Sequence, residues 1–289
     1  TSVNQKCLFA CLVVFVNLSS FESVRNTLSN KRSLSSLVKP SYTMFFDSAI
    51  VAVVAFTIIN TVERVNGTYF DLGYLGSAES QPIKFLEALN NHDSSLKFIA
   101  SQQEFKKVPG SPVVYKANKK IFDIFSKEKR ISERVDLKIG LQTGDTNLFL
   151  RNWYEIDWES RKTSKKWFPC NKAGEFRKWY GSFTYVVNWE NNGNEIKKCK
   201  SARPQNSDYY FKEGISWGLI TSGAPTARYM PEGFIFDVSS PSLFSNKDLY
   251  AYLGLLNSKP TIEILGLLNP TLNMSTGTVG LVPDLTRVA

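Results

Sequence analysis

The sequence predicts an α/β protein in which a strand–helix–strand unit is followed by a mixture of short strands and helices. Two continuous apolar runs, at residues 7–16 and 49–59, are rich in β-branched residues, as fully buried strands of a parallel sheet are. A segment with helical spacing lies between them, and strand, helix, strand is the pattern of an open α/β sheet. The chain of 289 residues is 43% hydrophobic and 21% charged, which is ordinary for a globular protein with a sizeable core.

The helix between the two strands is predicted from residues 19–30. A serine cap precedes Phe21, Val24 and Leu28, whose spacing puts them on the inward face of an amphipathic helix. Shorter patterns predict, in chain order, a strand at 67–72, a helix at 82–89, a turn-rich break at 106–112 and a helix at 119–125. Turn signals put the transition between the two parts of the chain between about residues 61 and 112.

The second part of the chain predicts short strands and one interrupted helical segment. Strands are expected at residues 185–189 and 233–238, and the Asn/Gly run at 191–194 predicts a turn. Residues 248–268 have helical periodicity, and Pro260 inside this segment should break or kink the helix.

The positive charge of the chain is concentrated in one segment. The formal net charge is +9, and residues 161–212 alone contain twelve basic and four acidic residues. All six tryptophans, at positions 153, 158, 167, 179, 189 and 217, lie in or beside this segment. Basic residues interleaved with aromatic ones, most densely in KWFPCNKAGEFRKWYG at 166–181, are typical of a surface that binds a polyanion. A solvated basic face over an aromatic core explains the composition equally well.

Cysteine and histidine content argues against several kinds of site. The four cysteines contain no Cys-x-x-Cys pair, and the one histidine, His92, lies in the polar run NNHDSS. No metal site, disulfide framework or Ser-His or Cys-His catalysis is therefore expected. The apolar runs are shorter than the about 20 residues of a membrane span. Lys6 and the apolar run after it also imitate a secretory signal, which leaves a secreted ligand-binding protein as an alternative.

Two polar loops contain residue types that read nucleic-acid bases. In GLQTGDTNLFLRNWYEID, at 140–157, Gln142 and Thr143 lie between two glycines. RPQNSDYYFKEG, at 203–214, contains Arg203, Gln205, Asn206, Tyr209 and Tyr210. Arginine pairs with guanine, Asn or Gln pairs with adenine, and tyrosine contacts phosphate or stacks on a base. A plain surface turn is the simpler interpretation of each loop taken alone.

A resemblance to a known family covers most of the chain from about residue 19 onward. It is carried, in chain order, by LSSFESVRNTL, GTYFDL, FKKVPGSPVVY, GLQTGDTNLFLRNWYEID, KKWFPCNKAGEFRKWYG, RPQNSDYYFKEGISW and ARYMPEGFIFDVSSPSLF. These blocks resemble the post-catalytic portion of adenine-specific DNA methyltransferases of the BREX phage-defence type. They are more distantly similar to restriction-modification enzymes of the TaqI-like group.

The resemblance implies a fold and a division of the chain. Residues 1–65 would be the last βαβ elements of a Rossmann-like methyltransferase sheet, 66–125 a connecting region, and 126–289 a mixed α+β target recognition domain. The family's glycine-rich loop for S-adenosylmethionine and its Asn-Pro-Pro-Tyr-like catalytic motif do not occur here, since Asn269-Pro270 is followed by Thr271. We therefore expect a fragment of a site-specific DNA adenine-N6 methyltransferase without catalytic or cofactor-binding residues. S-adenosylmethionine would be the cofactor of the intact enzyme, and this chain alone would bind none.

The resemblance also turns the basic segment and the two loops into candidate DNA contacts. The predicted phosphate-neutralising residues are Lys166, Lys172, Arg177 and Lys178, with Trp179 and Tyr180 packing or stacking beside them. The remaining candidates are Gln142, Thr143, Arg203, Gln205, Asn206, Tyr209 and Tyr210. Trp153, Trp158 and Trp189 are expected in the core. The implied partner is double-stranded DNA in the cytoplasm, with no membrane association, and other phage-defence subunits are further candidates. A non-catalytic DNA-binding specificity module that acts with a partner is the alternative.

Overall fold

The chain folds into two compact units, Thr1–Lys127 (unit 1) and Glu128–Ala289 (unit 2). The computed structural model describes residues 6–12, 14–17, 19–41, 53–61, 66–73, 79–157, 165–221, 226–269 and 272–286. Within these ranges, no helix combines the length and the apolar character that crossing a bilayer requires. The segments expected as a methyltransferase end and as a connecting region, 1–65 and 66–125, both contribute strands to the same sheet in unit 1.

Unit 1 contains a five-stranded mixed sheet. Its strands are β1 (Lys6–Leu12), β2 (Ser33–Lys39), β3 (Val53–Ile59), β4 (Asn66–Asp71) and β5 (Lys97–Ser101). They lie in the order β1-β3-β2-β4-β5, and only the β2–β4 pair of this described sheet is parallel. Its helices are α1 (Val14–Asn17), α2 (Glu22–Lys31), α3 (Ser80–Asn90), α4 (Gln102–Phe105) and α5 (Lys119–Lys127).

The prediction of two fully buried strands in a parallel sheet is wrong. β1 pairs antiparallel with β3, and β2, which was not predicted, lies on the other side of β3. β1 is at the end of the sheet with its side chains mostly exposed, and in β3 only alternate residues are buried. β2 was not predicted because serines interrupt its sequence, SLSSLVK, so that it lacks the continuous hydrophobicity of the other two segments.

The predicted helix at 19–30 is confirmed as a short 3₁₀ turn followed by α2, but a different face of it is buried. Val24 is exposed, whereas Arg25 and Ser29 are buried. The Arg25 guanidinium donates hydrogen bonds from Nη1 to the Phe15 carbonyl oxygen (2.9 Å) and from Nη2 to that of Gly110 (2.6 Å). These carbonyl acceptors allow a charged residue to take the position that periodicity assigns to an apolar one.

The described residues of unit 2 form three sheets. Its strands are β6 (Asp136–Lys138), β7 (Leu141–Gln142), β8 (Leu150–Asn152), β9 (Trp167–Asn171), β10 (Trp179–Tyr180), β11 (Tyr185–Asn188), β12 (Arg203–Pro204), β13 (Gly214–Trp217), β14 (Ala227–Met230), β15 (Ile235–Phe236) and β16 (Ser242–Phe244). The sheets have the orders β10-β14-β13-β16-β6, β15-β9-β11-β8 and β12-β7. The helices are α6 (Thr146–Phe149), α7 (Glu190–Lys198), α8 (Leu249–Asn257), α9 (Lys259–Leu268) and α10 (Thr276–Gly280).

The core of unit 2 joins elements that are distant in sequence. Leu141, Cys170, Val187, Ile235 and Phe236 are among the buried residues of one cluster that spans the sheets. Gly140 is required there because a Cβ at this position would overlap the carbonyl group of Phe236. The predicted interruption near Pro260 is confirmed, since α8 ends at Asn257 and Pro260 lies in the first turn of α9.

Candidate nucleic-acid interface

The basic aromatic segment at 166–181 connects two sheets of unit 2. Its first half is β9, where Cys170 and Asn171 are fully buried. Its second half ends in β10, and there Trp179 and Tyr180 are 53% and 59% exposed. The aromatic side chains of the second half therefore face solvent, where they are accessible to a ligand.

Glycine and left-handed backbone shape this second half. Trp179 has φ +74°, Gly181 +109° and Ser182 +66°. A Cβ at Gly181 would lie 2.9 Å from Arg177 Nη1 and 3.0 Å from Arg177 Cδ. The glycine thus leaves room for the Arg177 side chain to fold back over the end of β10.

The four predicted phosphate-neutralising residues fall into two pairs. Lys166 Nζ lies 3.9 Å from Glu190 Oε2, and Lys172 Nζ lies 3.5 Å from Oδ1 of the buried Asp237. In the part of the chain that the structure describes, Arg177 and Lys178 have no carboxylate partner. Lys172 therefore neutralises an internal acid, whereas Arg177 and Lys178 have uncompensated charge near the protein surface.

The two predicted polar loops meet in space. β7 and β12 pair antiparallel, so that Gln142 lies opposite Arg203 although 61 positions separate them. Gln142, Arg203 and Gln205 are exposed. Arg203 Nη1 donates to the carbonyl oxygens of Lys200 (3.0 Å) and Ala202 (2.8 Å), which fixes the side chain against its own loop.

Three predicted contacts lie inside the scaffold instead. Thr143 is buried, and Tyr210 is buried with its ring edge-to-face against Trp189, at a centroid distance of 5.2 Å. Asn206 is half-buried, and its Nδ2 donates to the Ile139 carbonyl oxygen at 2.8 Å. These side chains do not present groups to a ligand, because packing and internal hydrogen bonds occupy them.

Tyr209, next to the buried Tyr210, is flanked by two lysines. Nζ of Lys138 and Nζ of Lys212 each lie 4.7 Å from the centre of the Tyr209 ring. Lys138 was not predicted, since it lies in β6, far from the loop in sequence. A cleft of about 820 Å³ opens beside Tyr209 and Lys212, but its acidic and basic side chains are equal in number. This cleft therefore has no evident preference for a polyanion.

Arg228, in β14, is another residue of this region that was not predicted. It is 1% exposed, and the charge excess that guided the prediction ends at residue 212. Burial lowers the pKa of Arg228, and the positive charge of Arg177 lowers it further. Arg228 and Arg177 thus lie close enough to repel each other.

The tryptophan predictions have mixed outcomes. Trp189 is buried, as expected. Trp153 is half exposed, so its expected place in the core is wrong. Trp158 lies outside the described residues.

Comparison with known proteins identifies relatives of the chain. No family model matches it. The adenine-specific methyltransferase PglX of Lacticaseibacillus casei (strain Zhang) is 36% identical over 232 residues, which are 74% of this chain and 19% of PglX. The adenine-specific methyltransferase BrxX of Escherichia coli O9:H4 (strain HS) is 34% identical over 277 residues, which are 92% of this chain and 22% of BrxX. The chain is homologous to the adenine-specific methyltransferases PglX and BrxX.

The resemblance stated from the sequence blocks is thereby confirmed. The chain spans about a fifth of the length of PglX and BrxX. A solved structure of the Type IIL restriction-modification enzyme MmeI in complex with DNA matches 92% of this chain and 37% of that chain, with a TM-score of 0.56 and 11% identity. At this identity the match shows a similar fold.

Proposed function

We propose that this chain is the DNA-recognition portion of an adenine-specific DNA methyltransferase that acts in phage defence. The intact enzyme would transfer a methyl group from S-adenosylmethionine to the N6 atom of an adenine flipped out of the duplex. One observation carries the proposal: Arg177 and Lys178 lack carboxylate partners among the described residues and lie beside the exposed rings of Trp179 and Tyr180. Homology to the adenine-specific methyltransferases PglX and BrxX supports DNA as the polyanion.

Unit 2 would divide recognition between two surfaces. Arg177 and Lys178 would neutralise phosphates, which supplies affinity without regard to sequence. Gln142, Arg203 and Gln205 would reach base edges, since they are exposed together on the β7–β12 ribbon.

Unit 1 would be the end of the methyltransferase domain. Its parallel β2–β4 pair is consistent with that assignment, while the antiparallel β1–β3 pair departs from the parallel sheet that we expected. The sequence contains neither a Gly-x-Gly-x-x-Gly loop nor an Asn-Pro-Pro-aromatic motif, so no residue of this chain is assigned to S-adenosylmethionine or to methyl transfer.

Binding of duplex DNA as a function of salt tests the proposal. The logarithm of the affinity should fall linearly with the logarithm of salt concentration, with a slope of about −0.9 for each phosphate neutralised. Replacing Arg177 and Lys178 together by Glu should weaken binding to all sequences and make the slope less steep by about 1.8. The matched control is Lys119→Glu with Lys120→Glu, an exposed pair in α5 of unit 1. Binding that is absent, or that does not depend on salt, would contradict the proposal.

A non-catalytic specificity module is the second candidate, favoured by the missing catalytic and cofactor motifs. Transfer of a radiolabelled methyl group from S-adenosylmethionine to duplex DNA measures methyltransferase activity separately from DNA binding. The purified chain is expected to bind DNA and to transfer no label. Label transfer by the chain alone would show that it contains a complete catalytic site.

A further inference from the structure

Arg228 belongs to a row of paired residues that crosses the five-stranded sheet of unit 2, and it is second from the β10 edge. Its Cα neighbours are Trp179 on β10 and Ser216 on β13, and Ser216 in turn pairs with Ser242 on β16. Residues paired in this way project from the same face of a sheet. Arg228 therefore shares its face with Trp179, at the edge that carries the unpaired cations.

The guanidinium of Arg228 is buried without the partners that burial normally requires. Its Nε and Nη2 have no hydrogen-bond acceptor, and no carboxylate in the described ranges forms an ion pair with it. Arginine remains charged in proteins, so this arrangement leaves an uncompensated cation out of water. A group of this kind is expensive to maintain for the fold alone, and its free N–H donors are suited to an acceptor that arrives with a ligand.

The surroundings of Arg228 are positive and polar. Arg177 is close enough to interact electrostatically with it, and Lys178 Nζ lies 3.5 Å from the carbonyl oxygen of Asn257. Asn257 is itself bound to the backbone beside Arg228, since its Nδ2 donates to the Ala227 carbonyl oxygen at 2.9 Å. The Ser216 hydroxyl, on the cross-strand neighbour of Arg228, is also buried without a partner. The unpartnered donors at this place are therefore Nε and Nη2 of Arg228 and the hydroxyl of its cross-strand neighbour Ser216, with the positive charge of Arg177 nearby.

We propose that Arg228, beside Arg177, binds one phosphodiester group of duplex DNA, in addition to the phosphates that Arg177 and Lys178 neutralise at the surface. A base edge would supply acceptors for the Arg228 fork but no negative charge, and the mutual repulsion of Arg177 and Arg228 would remain. A phosphate supplies acceptors and negative charge, because it accepts two parallel N–H bonds from a guanidinium and neutralises the cations around it. The inference rests on the proposed function and adds a buried specific phosphate site to the exposed contacts.

Trp179 is the residue at the sheet edge next to this site. Its indole is half exposed and its backbone has φ +74°, a strained conformation for a residue with a side chain. Because Trp179 is the neighbour of Arg228 on the sheet edge, a shift of this residue would open that edge beside Arg228 to a phosphate.

The test compares Arg228→Met with Arg32→Met in the complete chain. Arg32 is exposed in unit 1, so both variants lose one positive charge but only the first loses the proposed site. Arg228→Met should make the salt dependence of DNA binding less steep by about 0.9, the contribution of one phosphate. Arg32→Met should leave the slope unchanged.

A second measurement does not involve DNA. All six tryptophans lie in unit 2, so their fluorescence reports the unfolding of that unit. At constant ionic strength, replacing chloride by inorganic phosphate should raise the unfolding temperature of the wild type and of Arg32→Met, and not that of Arg228→Met.

The outcomes separate the two proposals. An unchanged salt slope in Arg228→Met, with wild-type binding intact, overturns the phosphate site and leaves the DNA-binding proposal standing. Failure of the wild type to bind DNA overturns the proposed function, and selective stabilisation by phosphate would still support an anion site at Arg228. If Arg228→Met unfolds, Arg228→Lys replaces it: this variant keeps the charge and loses the bidentate fork, so DNA affinity should fall with the slope retained. Unchanged affinity in Arg228→Lys would overturn the proposal.

Discussion

Arg25 in unit 1 and Arg228 in unit 2 are both almost fully buried, at 4% and 1% exposure, yet their surroundings are opposite. Arg25 donates hydrogen bonds to three backbone carbonyl groups, those of Phe15, Gly110 and Ser111. Arg228 has two nitrogen atoms without any acceptor. Burial lowers the pKa of both, but the charge of Glu22 opposes the change at Arg25, whereas that of Arg177 adds to it at Arg228. The hydrogen-bond partners, rather than the burial, distinguish the structural role of Arg25 from the binding role that we propose for Arg228.

The acceptors of Arg25 show what its structural role is. Gly110 and Ser111 have φ of +81° and +48°, so they form a turn whose carbonyl groups point away from regular secondary structure. Arg25 satisfies these carbonyl groups from α2 and fixes the turn to the helix. Among the described residues, no carbonyl group accepts a hydrogen bond from Nε or Nη2 of Arg228.

The largest effect is expected from Arg25→Met. The variant leaves one buried and two partly buried carbonyl groups without their charged donor, and we expect unit 1 to lose about 3 kcal/mol of unfolding free energy. Urea unfolding followed by far-UV circular dichroism should show this loss. The tryptophan fluorescence transition, which reports unit 2, should not move. A shift of both transitions would show that Arg25 does not act on unit 1 alone.

Asp71 offers the acidic counterpart within unit 1. Burial by itself raises the pKa of Asp71, but the hydrogen bond from Lys116, the charge of Lys39 and the Gly73 N–H outweigh it, so that the pKa is lowered. A lowered pKa in the folded state means that the stabilisation is present above the ordinary pKa of about 4 and is lost as the pH falls through the folded value. Unit 1 should therefore lose stability on acidification below about pH 4.

Asp71→Asn is the matched variant for this acid effect. It removes the charge that Lys116 Nζ contacts at 2.6 Å, and we expect a loss of about 2 kcal/mol at neutral pH. The variant should also show a smaller change in stability between pH 6 and about pH 3 than the wild type. An equal pH dependence in the two proteins would assign the acid effect to other groups.

Arg228→Met should have the opposite sign to Arg25→Met. Replacing an unpaired buried cation by an apolar side chain of similar volume should leave the stability of unit 2 unchanged or raise it by about 1 kcal/mol. Tryptophan fluorescence during urea unfolding measures this. A loss comparable to that of Arg25→Met would remove the distinction between the two arginines.

The smallest effect is expected from Tyr210→Phe. The Tyr210 hydroxyl is buried without a partner, so its removal should change the unfolding free energy by less than about 0.5 kcal/mol. Salt-dependent DNA binding should be unchanged, because Tyr210 belongs to the core. Tyr69→Phe is the corresponding variant in unit 1, where the hydroxyl is also buried and unpartnered. A loss of DNA binding in Tyr210→Phe alone would show that the Tyr210 hydroxyl contributes to DNA binding.

Local rules of sequence predicted the elements that depend on local chemistry. The interruption of the last long helical segment follows from Pro260, and the strand β4 and the helix α5 follow from short patterns. Two neighbouring tyrosines show that local patterns do not predict which side chain is buried. Tyr209 packs against two lysines at the surface and Tyr210 against the core, and only the three-dimensional path of the loop separates them.

The same limit explains the missed residues of the site. Gln142 was selected for its type, but its place opposite Arg203 depends on pairing between strands 61 positions apart. Arg228 lies in the short strand ARYM, beyond the basic segment, and its missing acceptors are a property of the packed sheet rather than of its sequence neighbours. Charge composition selected the region of the proposed interface, and tertiary packing determined which of its described cations lack a carboxylate partner.

The edge strand β1 affects how the chain behaves in solution. Among the described strands of unit 1, β1 has a neighbour on one side only, and Leu8, Phe9 and Leu12 project from it largely exposed. An apolar strand with free N–H and C=O groups is a template for strand addition by another molecule. Concentrated samples of this chain should therefore self-associate through β1, and a lysine at position 8 is the change that should keep the protein monomeric.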